Sequence, residues 1–190
     1  VGQDARVVLD DEGKNLVLRK IAGECEKDLK VFKGNLKKQG YISEVKSVLS
    51  EFAQYGVDFE RLDDFMKEVP PESYLHYKLD DIRTIYEKFE EYLSEKYITK
   101  EEMLDVLSDA VPYSDILKGS VVAMDGFTGF TPVQNRLIGE LFSVCEKVMI
   151  TVTMDGRENP YVYEHPYQIF ALGKQMVTSL MKIAGEKKTE

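Results

Sequence analysis

The sequence predicts an α/β protein in which short parallel strands are interrupted by a large block of helices. Three observations carry that reading. An apolar run, Val121-Val122-Ala123-Met124, stops at Asp125, passes Gly126 and Gly129, and opens a helix whose first turn holds Pro132. A second β-branched run, Val148 to Thr153, follows that helix, and strand, helix, strand in succession favours a right-handed crossover between parallel neighbours. From Ser43 to about Ala110, by contrast, apolar residues recur at three- and four-residue steps.

Each element has its own local justification. Arg6 to Leu9 is a brief apolar run that suits a strand or a lead into the first helix. Asp10 or Asp11 caps that helix, which carries Leu16, Val17, Lys20 and Ile21 and ends near Gly23. Leu29 to Phe32 alternates and reads as a short strand, after which Gly34 and Gly40 bracket a basic loop. Val45, Val48, Leu49, Phe52 and Tyr55 stripe the next helix, which Gly56 stops. Asp58 opens a short helix that ends at Val69-Pro70-Pro71. The longest helix runs from Tyr74 to Leu93, with acidic residues on its solvent side. Thr99 with Glu102 is a capping-box signature for the helix after it. Beyond the central stretch, Val133 to Phe142 is helical, and a last helix is expected from Pro166 through Ile183.

Composition narrows the function. The chain has 190 residues, 43% hydrophobic and 31% charged, enough to bury a core in one domain or two small ones. No apolar run reaches the length of a membrane span and no signal segment opens the chain, so no membrane role and a cytoplasmic location are expected. Cys25 and Cys145 are too few for a disulfide framework, a zinc ribbon or an iron–sulfur cluster, which takes four thiolates as a rule. A net charge of −9 repels nucleic acid as a whole. The local exception is the basic run containing Lys27, Lys30, Lys33, Lys37 and Lys38, either a solvated loop or a DNA-contact strip.

Asp125 is the main candidate site residue. A β-branched run such as Val121-Val122 suits a strand buried on both faces, and ligands gather at the carboxyl ends of such strands. A carboxylate there can hold a magnesium ion when a nucleotide supplies phosphate; equally, Asp125 can simply cap a turn in which Gly126 and Gly129 take positive φ. Tyr161, Tyr163 and Tyr167 suit packing over a sheet edge or helix end, or stacking on bases. His76 and His165 have no ligand or catalytic partners at suitable spacing. No Gly-x-x-x-x-Gly-Lys-Ser/Thr phosphate loop occurs in these residues.

Asp125-Gly126-Phe127, continued by Phe130, Pro132 and Gln134, resembles the second helicase motif of the AddB family, helicase-like components of the bacterial AddAB helicase-exonucleases. That motif reads Asp-Gly-Phe-x-x-Phe-x-Pro-x-Gln after a hydrophobic strand, and the match is complete. Leu29 to Phe32 followed by Gln39-Gly40-Tyr41 is similar to a second AddB stretch. Active superfamily I helicases carry Asp-Glu-Phe here, so the resemblance implies that Asp125 is a degenerate Walker-B-like, metal-side aspartate and that Gly126 replaces the hydrolytic glutamate. The Gly-Asp-x-x-Gln phosphate sensor is replaced by Thr153-Met154-Asp155-Gly156-Arg157, and the family's nuclease signature, Pro-Asp followed by acidic-x-Lys, is absent.

The resemblance implies a partial RecA-like (P-loop NTPase type) parallel sheet of two or three strands, formed by residues 1–42 and 111–190, with a helical insertion at 43–110. The expected piece is an internal slice of a longer subunit, inactive alone. Its parent would use ATP and magnesium, carry any iron–sulfur cluster elsewhere, pair with an AddA-like helicase-nuclease subunit, and act on double-stranded DNA ends in repair and recombination. Lys30, Lys33, Lys37 and Lys38 are then the DNA-contact candidates. The alternative is an α/β interaction module with no DNA role, which the charge and the missing phosphate loop fit without strain; a small magnesium-dependent hydrolase lacks a second acidic ligand or base. An opened sheet edge further predicts a dimer.

Overall fold

The computed structural model describes residues 6–35, 38–94 and 96–187, and the chain forms two compact units, residues 1–103 and 104–190. Lys37 lies outside the described residues.

In the first unit β1 (Val7–Leu9) runs parallel to β2 (Tyr97–Thr99), with Val7, Val8 and Leu9 opposite Tyr97, Ile98 and Thr99. Between them lie α1 (Asp11–Glu24), α2 (Gln39–Tyr55), α3 (Phe59–Glu68) and α4 (Tyr74–Leu93). The caps are those that the local chemistry favours: Asp10 accepts from the Gly13 N–H, Asp58 from Arg61 and Ser73 from His76. Gly56 ends α2 in the left-handed conformation, φ 63°, which glycine adopts without penalty. Leu18, Ile21, Leu49, Leu62, Ile85 and Phe89 fill one apolar core, so α1 packs on α2 and α4, and α3 on α4.

Several expectations are corrected in this unit. Residues 29–32 are irregular and bent, and 33–35 form a turn, rather than a strand, because the Asp81 carboxylate, 1% exposed on α4, accepts the N–H groups of Lys30, Val31 and Phe32 at 2.8, 2.7 and 2.8 Å. Those donors are therefore withdrawn from any ladder. Gly40 lies inside α2 and brackets no loop. β2 is an element that the capping-box reading passed over, although Thr99 and Glu102 do form that box ahead of α5 (Lys100–Ala110).

In the second unit β3 (Val121–Met124) pairs in parallel with β4 (Lys147–Ile150), Met124 opposite Ile150, and α6 (Pro132–Val144) connects them. Thr131 caps α6 in a full capping box with Gln134, and Pro132 takes the first turn, where its missing N–H costs nothing. α6 packs on a single 3₁₀ turn (Val111–Tyr113), on β4 and on α7 (Ala171–Glu186). The strand pair is half-exposed and not buried on both faces: exposed and partly covered residues alternate along each strand, and Val121 is 56% exposed. The expected helix at Pro166 begins at Ala171; residues 166–170 are turns.

The fold is thus α/β, with two separate two-stranded parallel sheets among the described residues rather than one sheet of two or three strands. No described helix is long and apolar enough to cross a membrane.

Candidate strand-end site around Asp125

Asp125 stands where the chain leaves β3, on the carboxyl side of a parallel pair. Its exposed carboxylate accepts a short hydrogen bond from the Thr151 hydroxyl, which lies one residue beyond β4. The ladder register explains the meeting: Met124 faces Ile150, so the next residues of the two strands come side by side, and the Thr151 N–H also donates to the Met124 carbonyl at 3.0 Å. Gly126 takes φ +82° and turns the chain sharply after the carboxylate, while Gly129 has no such conformation. Phe127 and Phe130 face each other across the loop with ring centroids 5.0 Å apart, and α6 then begins at its capping box. Thr151 was missed in the sequence, yet it is readable there as the first polar residue after an apolar run that pairs with β3.

Chemically the site offers one fixed carboxylate, with one oxygen already engaged. No group of three or more His, Cys, Asp or Glu among the described residues could hold a metal ion. Asp125 therefore fits magnesium only as a single ligand, to an ion whose remaining coordination comes from water and phosphate. Downstream, Asp155 is committed elsewhere: the Arg157 guanidinium donates to it at 2.7 Å and holds its carboxyl below the usual range.

The lysine candidates occupy the first unit. Lys30 donates to Asp80 at 2.9 Å and sits 4.9 Å from the Tyr77 ring centroid, and the Asp80 bond raises its pKa. Lys33 is exposed, and Lys38 is exposed with a 3.1 Å hydrogen bond to Asn35. Among the described residues, Lys33 and Lys38 thus present their charge outward with no carboxylate in salt-bridge range, whereas Lys30 is paired. The tyrosines do not cover a sheet edge or helix end: Tyr161, Tyr163 and Tyr167 are all exposed.

Parallel strands, a carboxylate at their carboxyl end and a capped helix directly behind it define an α/β protein with a strand-end acidic site. The family model described as "ADDB, N-terminal" matches residues 1–190, and the chain belongs to that family. Among similar proteins, the B subunit of the ATP-dependent helicase/deoxyribonuclease of Lachnoclostridium phytofermentans is 40% identical over 190 residues, covering 100% of this chain and 16% of the relative. Proteins with the same name from Thermoanaerobacter sp. and Alkaliphilus oremlandii are 36% and 30% identical, over 98% and 97% of this chain and 16% of each relative. The chain spans about one-sixth of the length of these relatives.

Proposed function

We propose that this chain works as part of the helicase-like region of an AddB-type subunit, and that it does so without an ATPase cycle of its own. In this reading residues 1–42 and 111–190 belong to a partial RecA-like domain and 43–110 to its helical insertion. The subunit pairs with an AddA-type helicase-nuclease and processes double-stranded DNA ends for repair and recombination. Lys30, Lys33, Lys37 and Lys38 contribute DNA contacts, Lys30 while paired with Asp80.

The observation that carries the reading is the placement of Asp125: a carboxylate at the end of β3, braced by Thr151 and followed by Gly126, which has no side chain. A magnesium-nucleotide bound there would meet one ligand oxygen from this chain. Gly126 has no side chain to polarise an attacking water, which favours binding or sensing over turnover.

Isothermal calorimetry with ATP and magnesium tests this on the chain alone and on the longer subunit. Binding only in the longer protein, at least tenfold weaker with Asp125→Ala and with no phosphate release, is the expected result. Equal affinity of the wild type and Asp125→Ala would remove Asp125 from the nucleotide site and leave it a turn residue in a module without this role.

A further inference from the structure

The segment between β4 and α7 is the most concentrated exposed apolar stretch of the second unit. Tyr161, Tyr163, Tyr167, Ile169 and Leu172 all project into solvent, Tyr167 at 91% and Ile169 at 75% exposure. Residues 161–170 contain no helix or strand. Val162 and Ile169 line an open groove of about 570 Å³, bordered by Glu158, Glu164, Gln168 and the buried Lys174. Soluble proteins rarely leave such density uncovered unless something binds it.

The chemistry of the groove selects its occupant. Lys174 is already paired with Glu158 at 2.5 Å, and Glu164 accepts from the Gln168 amide at 2.9 Å, so its carboxylate has no cationic partner among these contacts. A polyanion would meet two carboxylates and one neutralised lysine, which disfavours nucleic acid. An apolar polypeptide segment with a lysine or arginine placed against Glu164 satisfies both features. The relatives are about six times longer than this chain, each covered to 16%, so most of their length lies outside these residues. A tethered segment also outcompetes a separate chain through its high effective concentration.

We infer that the groove lined by Val162, Glu164 and Ile169, together with the exposed Tyr161, Tyr163 and Tyr167 of the same stretch, is an intramolecular docking surface, covered in the longer subunit by an apolar, basic segment from outside these 190 residues. This rests on the reading of the chain as part of a longer AddB-type polypeptide.

Amide hydrogen exchange of peptides spanning residues 159–172 tests it, in the 190-residue chain and in the isolated full-length subunit. Fast exchange in the short chain and exchange at least tenfold slower in the full-length subunit, without partner or DNA, is the expected result. Ile169→Asp and Glu164→Lys in the full-length subunit should each restore fast exchange there while peptides of β3 and β4 keep their protection. Exchange equally fast in both proteins, or already slow in the short chain, overturns the inference. So does protection that requires an added subunit, an oligonucleotide or rising protein concentration. An endogenous product of only 190 residues on an immunoblot would remove the parent reading itself, an outcome separate from fast exchange in a long subunit.

Discussion

Asp81 decides the shape of the lysine-bearing segment by taking three consecutive N–H groups into a buried carboxylate. Asp81→Ala leaves those donors unpaired, and we expect a loss of about 3 kcal/mol in denaturant unfolding, with faster amide exchange at Lys30 to Phe32. The sequence could not announce this, since the partners are some fifty residues apart and an aspartate on a helix reads as solvated. The alternation of Leu29 to Phe32 was real but local, and a tertiary contact overrode it. Glu90 on α4 is a second case. Burial, with the nearby Glu102 charge adding to it, pushes its pKa up from 4.5 to about 7. A carboxylate raised on folding stabilises below its unfolded pKa, and that contribution is lost as pH rises through the folded one. The contribution of Glu90 to the melting temperature should therefore fall between about pH 4.5 and pH 7, and Glu90→Gln should remove that fall, gaining about 3 kcal/mol at pH 8. A variant that keeps the wild-type pH profile would show that Glu90 is not the group responsible.

Helices were the legible elements because their signals are local: caps at Asp10, Asp58, Ser73 and Thr131 sit within three residues of the groups they satisfy. β2 was not legible, since three residues hold no period and only pairing with β1 makes them a strand. The site was half legible: Asp125 follows from the strand end, but its brace by Thr151 needs the ladder register. Close packing around α7 rests on two small residues. A Cβ on Gly139 would meet Ile183 Cγ2 at 3.2 Å, and one on Gly173 would meet the Thr153 carbonyl oxygen at 3.0 Å. The neighbour of Gly173 is backbone, so relief there requires α7 to shift. Gly173→Ala should cost about 1–2 kcal/mol, outweighing its gain in helix propensity, and calorimetric unfolding of the chain would reveal it. A stabilised variant would mean that α7 adjusts freely.

Across the whole molecule, open strand edges and a net charge of −9 pull in opposite directions. Edges invite pairing with another copy, whereas like charge resists it and is screened by salt. Dimers should therefore form with concentration and become more abundant as ionic strength rises; light scattering that reports a monomer across both series would exclude edge pairing. Membership of the family was legible through the Asp125–Gln134 motif and the stretch from Leu29 to Tyr41, because a motif is a local pattern. One contact between distant residues sets an order in time. Lys14, buried at the start of α1, bonds to Glu101 at 2.6 Å across 87 residues of chain. During synthesis at bacterial rates that partner arrives roughly ten seconds later. Throughout that interval the nascent α1 carries a lysine on its future core face without this carboxylate to neutralise it, and the pair closes only once the first turn of α5 has left the ribosome.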